Sequence, residues 1–165
     1  ISHIKEKISE MMIQATLIRA SLEAAISNCS IGPDGAAFPN ELFVNAGKFY
    51  GAANYNTMVR HLHDIAGGAV LTAPAPADFE NEEVGDLARK YMSTGNDVDG
   101  EYRSKLMYAI RDLTADSYGG WKAVTNLQAG GGLYAQRIVT RRHYDLDEAK
   151  RGALAIAGLS EHDAP

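Results

Sequence analysis

Apolar residues recur at steps of three and four from the start of the chain. Ile4, Ile8, Met11, Ala15, Ile18, Leu22 and Ala25 fall on one face of a helix of about seven turns, long enough to belong to a bundle. The pattern stops at Asn28. From there to Asn40 the sequence NCSIGPDGAAFPN reads as a loop, with a tight turn at Pro33-Asp34-Gly35. Asn40 is an N-cap candidate, and Glu41 sits favourably in the first turn that follows. A second long helix is predicted from Glu41 to Ala66, with Phe43, Ala46, Tyr50, Ala53, Met58, Leu62 and Ile65 as its apolar stripe. Ala46, Gly47, Gly51, Ala52 and Ala53 crowd its middle and leave a flat surface that either a neighbouring helix or a ligand could approach closely.

Gly67-Gly68 ends that helix. The chain then reads as extended through Val70 and Leu71, because Pro74 and Pro76 exclude a helix interior there. Asp78 or Asn81 is placed to cap a shorter helix running to Met92, and Ser93 to Asn96 is a break. A third long helix is predicted over 98–115, with Tyr102, Leu106, Ala109, Ile110 and Leu113 on one face. Ser117 to Gly132 is less regular, and Gly130-Gly131-Gly132 interrupts it. Residues 135–143 then read as a basic helix carrying Arg137, Arg141 and Arg142. Asp145 caps a last helix whose buried side is Leu146, Ala149, Ala153, Ile156 and Ala157, and Gly158 stops it. Strand alternation and internal repeats do not stand out. The expected architecture is an all-α bundle of three or four long helices and a few short ones, one domain over 1–159 with a flexible tail at 160–165.

Composition narrows the partners. The 165 residues suffice for one domain with a core, and 45% hydrophobic with 22% charged residues is ordinary for a water-soluble fold. A net charge of -5 argues against nucleic acid. No apolar run approaches the ~20 residues of a membrane span, and no signal-peptide pattern opens the chain. The single Cys29 cannot form an internal disulfide, which suits a reducing, cytoplasmic setting. His61 and His63, two residues apart, cannot share a helical face, and without acidic or Cys partners in pattern they predict no metal site. The chain opens on Ile1, already helical in pattern, as a piece of a longer protein would.

Three blocks carry a resemblance. Leu62 to Gly68 (LHDIAGG) with Pro74, Asp78 and Phe79, Asn126 to Ile138 (NLQAGGGLYAQRI), and Asp147 to Leu159 (DEAKRGALAIAGL) are similar, in the same order, to the C-terminal domain of one flavoenzyme family. It contains the 4-hydroxyphenylacetate 3-monooxygenases and the 4-hydroxybutyryl-CoA dehydratases (vinylacetyl-CoA isomerases). The resemblance implies an acyl-CoA-dehydrogenase-like C-terminal helical bundle, preceded in the parent by a helical and a β domain. It also implies assembly as homotetramers or dimers of dimers, and FAD held between the middle domain and this bundle. In the monooxygenase branch FADH2 arrives from a partner reductase.

On that resemblance two segments are expected to touch the cofactor. The first is Asp64, Ile65, Ala66, Gly67 and Gly68, where N–H groups beside glycines suit a pyrophosphate. Asp64 itself would repel phosphate and suits a backbone or ribose partner better, and a plain helix stop explains the glycines equally well. The second is Thr125 to Gly132, with Gln128, Gly130 and Gly131 as its cofactor contacts and a glycine-broken helix junction as the alternative. The dehydratase branch resembles ESMHGAGSPQAQRI here, with a Glu placed for proton transfer near the flavin. Thr125 stands at that Glu and Gln128 at that His, and neither serves as a base at neutral pH. Arg137, Arg141 and Arg142 suit inter-subunit ion pairs, or an anionic cofactor or CoA phosphate. No catalytic residue is assigned within the chain. Three functions follow: the C-terminal part of a monooxygenase acting on a phenolic substrate, the same part of a CoA-substrate dehydratase or isomerase, or a helical oligomerisation module without a site of its own.

Overall fold

The computed structural model describes residues 2–95 and 97–160. Two 26-residue helices dominate it, α1 (Ser2–Ser27) and α2 (Glu41–Ala66). They are joined by a loop in which β1 (Ser30–Ile31) and β2 (Ala37–Phe38) pair antiparallel. The expectation of no strands is corrected by this small hairpin, which closes around the Pro33-Asp34 turn through the Gly35 N–H to the Gly32 carbonyl, 2.9 Å. Asn40 caps α2 as its sequence predicts, its Oδ1 accepting from the Leu42 and Phe43 N–H groups at 3.1 and 3.3 Å.

Helix α2 is the spine. It packs against α1 along its length, and against α6 (Gly100–Thr114), α7 (Ser117–Gln128) and α8 (Gly132–His143) on its other sides. Four further helices complete the described chain: α3 (Ala69–Thr72), α4 (Pro76–Glu80), α5 (Gly85–Met92) and α9 (Leu146–Ile156).

Several local expectations change here. Val70 and Leu71 are helical, because only Gly67 adopts a positive φ, +67°, and Gly68 at −61° restarts a turn before Pro74. The single helix expected to run to Met92 is split. Asp78 reaches back to the Ala75 N–H at the start of α4, while Asn81 accepts from the Glu83 and Val84 N–H groups and turns the chain before α5. The segment read as irregular before Gly132 forms α7, which crowds the end of α6: a Cβ on Gly119 would lie 2.6 Å from the Thr114 carbonyl carbon. Helix α9 buries none of its residues, and the apolar side predicted for it is open, with Ile156 92% exposed. The tail expected at 160–165 lies, after Ser160, outside the described residues.

The two long helices meet through small residues and through ion pairs. A Cβ on Gly47 would fall 2.7 Å from Cβ of Ser21, and one on Gly51 would lie 3.3 Å from Cδ1 of Ile18. Glycine there lets the α1 and α2 backbones approach more closely than any side chain allows. Toward the other end of α2, Glu10 bonds His61 Nε2 at 2.6 Å and Lys7 pairs with Asp64. His61 is buried and faces α1, whereas His63 bonds the Thr114 hydroxyl on α6 at 2.7 Å, so the two histidines serve opposite faces of α2.

The buried apolar core is thin: Ala25, Ala52, Val70, Phe79 and Met107. The accessible surface is 11647 Å², whereas a compact monomer of 17.8 kDa would show about 8,000 Å². Met12, Ile13, Ile26, Trp121, Val124 and Tyr134 all stand exposed. A bundle this open leaves apolar faces of a kind that normally lie against other protein.

Two stability predictions follow from these contacts. Gly47→Ala should cost about 1–3 kcal/mol by pushing α1 from α2, while Gly120→Ala, in open space within α7, should gain about 0.5–1 kcal/mol; urea denaturation of the two variants checks the contrast. The hydrogen bond and charge of Lys7 hold the Asp64 carboxyl below its ordinary 3.8. The unfolded carboxyl therefore takes up a proton first as pH falls, so the pair stabilises above about pH 4 and its contribution is lost below that. The stability difference between wild type and Asp64→Asn should shrink as pH drops from 6 to 3, and a difference independent of pH would refute the assignment.

Candidate functional site

A cavity of about 420 Å³ opens where α1, α2, α7 and α8 converge. Its walls are Ile18 and Leu22 from α1, Gly47, Gly51 and Ala52 from the flat middle of α2, and Ala129 and Gly130 from the end of α7. Its polar groups come from Lys48, Tyr55, Thr125, Asn126 and Gln136. The size suits a small organic ligand, and mostly apolar walls with a few convergent polar groups are what such sites have. Among the described residues no carboxylate or imidazole lines it.

The α7–α8 turn builds the floor. Gly131 and Gly132 take φ of +87° and +70°, which residues with a Cβ rarely adopt, and the Gly131 N–H closes on the Gln128 carbonyl at 3.0 Å. This turn presents Gly130 to the cavity. A Cβ at Gly130 would lie 2.5 Å from Gln136 Nε2 and 2.9 Å from Lys48 Cε, so both of those side chains rest against a surface that only glycine leaves free.

Gln136 is the unusual group. It is 1% exposed, and its Nε2 donates to the Gly130 carbonyl at 3.4 Å. Its Oε1 is buried with no partner. Exchanging the amide O and N would set oxygen against the Gly130 carbonyl, so that orientation is disfavoured and the orphan is the acceptor. An unpaired buried acceptor costs about 1–3 kcal/mol, which makes it a natural place for a ligand's donor. Beside it, Lys48 has no ion pair among the described residues.

The predicted cofactor residues are placed apart. Gly130 lines the cavity, and Gln128 and Gly131 lie on the turn behind it, the Gln128 Oε1 beside Gly132. Asp64, Ile65, Ala66, Gly67 and Gly68 sit at the far end of α2, about 24 Å along the helix from Lys48 for Asp64 at 1.5 Å per residue. Asp64 is bound to Lys7, and the Gly67 N–H is taken by the His63 carbonyl at 2.8 Å. A Cβ at Gly67 or Gly68 would meet nothing within 4 Å, so that junction is open. The structure does not bring the two segments together.

The sequence does not single out Lys48 or Gln136; it offers Asn126 only within the Thr125 to Gly132 segment, and Tyr55 only as a core or interface ring. Gln136 carried a signal, since Ala135-Gln136-Arg137-Ile138 recurs in the dehydratase-like pattern, but its helical spacing alone marks only a helix face. Lys48 reads as an ordinary surface lysine among small residues. Arg137 stacks on the Phe49 ring, 5.0 Å from its centroid, and a second, larger apolar cavity of about 560 Å³ lies beside it between α2 and α8.

Residues 1–158 match the family described as 4-hydroxyphenylacetate 3-hydroxylase, C-terminal (HpaB). The chain belongs to this family. A relative in Geobacillus sp. (strain PA-9), the oxygenase component of 4-hydroxyphenylacetate 3-monooxygenase, is 27% identical over 71% of the chain and 24% of its own length. The solved oxygen-tolerant archaeal 4-hydroxybutyryl-CoA dehydratase of N. maritimus superposes with a TM-score of 0.87 at 28% identity, over 98% of this chain and 32% of that one. An oxygenase component (HpaB) solved with FAD has a TM-score of 0.86 at 18% identity, over 94% of this chain and 32% of that one, and so attests the fold. The chain thus spans about a quarter to a third of the length of these relatives. The expected acyl-CoA-dehydrogenase-like helical bundle is the fold of this family member. No helix among its described residues is long and apolar enough to cross a membrane.

If Gln136 is an acceptor kept unpaired for a ligand, losing it should not harm the free protein. Gln136→Leu should leave stability unchanged or raise it by up to about 1 kcal/mol, read as the denaturation midpoint without ligand. A loss above about 2 kcal/mol would make Gln136 a structural residue.

Proposed function

We propose that this chain is the helical C-terminal part of a flavin-dependent monooxygenase that hydroxylates a phenolic substrate such as 4-hydroxyphenylacetate. It works in the cytoplasm, in a self-assembled tetramer or dimer of dimers, on FAD or on FADH2 delivered by a reductase. The observation that carries the reading is the lining of the cavity: apolar walls with amide, hydroxyl and ammonium groups and, among the described residues, no carboxylate or imidazole. Such a lining can orient a ring and exclude water, but it offers no ready base at neutral pH.

The residues fit a flavin in two respects. Gly47, Gly51 and Gly130 border a cavity of about 420 Å³ with largely apolar walls, which suits a flat ring. The orphaned Gln136 acceptor needs a donor, and a flavin carries one. When bound, reduced flavin activates O2 for transfer to the substrate ring. This chain's residues then hold and shield: Ile18, Leu22 and Ala52 cover a face, while Lys48 and Gln136 fix the polar edge. The FAD complex of a protein of the same fold supports this reading. Asp64 to Gly68 would serve the same cofactor only from the other end of an extended dinucleotide, or across a subunit boundary. The excess of exposed apolar surface supports assembly with further copies and domains.

A second reading is favoured by the 28% identity to a 4-hydroxybutyryl-CoA dehydratase across nearly the whole chain. Against it stands Thr125, which lines the cavity where the dehydratase-like pattern has its Glu.

The test is turnover by the intact polypeptide that carries this domain. With FAD, a reductase, a reduced nicotinamide as electron donor and O2, 4-hydroxyphenylacetate should yield a catechol, while 4-hydroxybutyryl-CoA should yield no enoyl-CoA, both followed by chromatography. Enoyl-CoA formation without oxygen would reverse the order of the two readings, and neither activity with flavin unbound would leave an assembly role.

A further inference from the structure

Gln136 and Lys48 flank the same glycine, and they ask for opposite things. The Gln136 Oε1, buried and unpartnered, needs a hydrogen-bond donor. The Lys48 ammonium, without an ion pair among the described residues, offers only donors and a positive charge, and so needs a carbonyl or an anion. Both abut Gly130, whose missing Cβ sets them side by side. A ligand group with an N–H beside a carbonyl oxygen meets both demands, and the imide edge of a flavin is one.

We propose that Gln136 and Lys48 together form an imide-recognition site, Gln136 Oε1 accepting from the ligand N–H and Lys48 donating to the adjacent carbonyl. This rests on the flavin reading above, since the pyrimidine edge of isoalloxazine is such an imide, N3–H between the C2 and C4 carbonyls. The site then does more than hold the ring. Reduced flavin at neutral pH carries negative charge at N1 and the C2 carbonyl, and an ammonium at that edge favours the reduced form over the oxidised one. Lys48 is accordingly a positioning residue that raises the reduction potential of bound flavin.

Three features argue for a built site over chance burial. The Gln136 amide is anchored through its Nε2 to the Gly130 carbonyl, which fixes the direction its acceptor faces. The Gly131-Gly132 turn that supplies Gly130 is held in a backbone conformation costly for other residues. Ile18, Leu22 and Ala52 make the walls largely apolar, so the few polar groups, Gln136 and Lys48 among them, set where a ligand's own polar atoms fall.

The experiment uses the intact polypeptide and two probes, FAD and FAD methylated at N3. Binding is read by flavin fluorescence, potentials by dye-coupled reduction, and folding of each variant by circular dichroism. Wild type should bind FAD at least tenfold more tightly than N3-methyl FAD. Gln136→Leu should weaken FAD about tenfold and no longer distinguish the two probes, and Gln136→Glu should retain the distinction. Lys48→Met should lower the midpoint potential of bound flavin, and Lys48→Arg should restore most of it. If wild type fails to bind FAD, the flavin reading itself fails. If it binds both probes equally, or if Gln136→Leu still prefers FAD, flavin binding stands and the imide site is refuted. An unchanged potential in Lys48→Met refutes the role given to the lysine.

Discussion

The approach of α1 to α2 is the constraint on which the rest of the molecule depends. Gly47 and Gly51 permit it by removing the Cβ atoms that would strike Ser21 and Ile18. One small-residue patch thus does two jobs. It lets two 26-residue helices lie close, and it leaves a hollow beside the contact that α7 and α8 close over. Filling the patch with larger side chains would separate the helices and occupy the cavity at once. The tight-packing reading of the patch holds against α1, and the same glycines border the cavity.

Away from that patch the bundle is held by polar contacts at specific places. Glu10 with His61 and Lys7 with Asp64 fix the register of α1 along α2. The Tyr108 hydroxyl donates to the Pro74 carbonyl, and Arg89 donates to the Phe79 carbonyl at 2.6 Å, tying the proline-bounded connection to α6 and α5. These bonds satisfy backbone groups that short helices such as α3 and α4 leave open. With so few fully buried apolar residues, such contacts specify geometry more than they supply stability. The large exposed surface says the same from outside: much of the apolar area that should stabilise these helices lies on faces this chain does not cover.

The candidate site inherits its character from this openness. Its one firmly fixed polar group, Gln136, is fixed because α8 packs on α2 and because the glycine turn delivers a carbonyl to its Nε2. Lys48 enters from the opposite side on α2. Residues 88 positions apart in sequence thereby meet on a single glycine, which no local pattern encodes.

Periodicity alone determined the long helices, the Asn40 and Asp145 caps and the Gly67 and Gly158 stops, because caps and stops are decided by the backbone needs of a few neighbouring residues. The motif blocks also pointed to the family, since they stand in the order its pattern requires. Tertiary structure decided the rest. It folded Val70 and Leu71 into a turn of helix, split the helix before Met92 at Asn81, and left the apolar side of α9 in the open, against expectation. It also parted the two glycine segments, which read alike as cofactor contacts, by most of the length of α2. A sequence window records what a residue prefers locally. Which residues converge on one cavity depends on where helices cross, and that is set by side-chain volumes from distant parts of the chain.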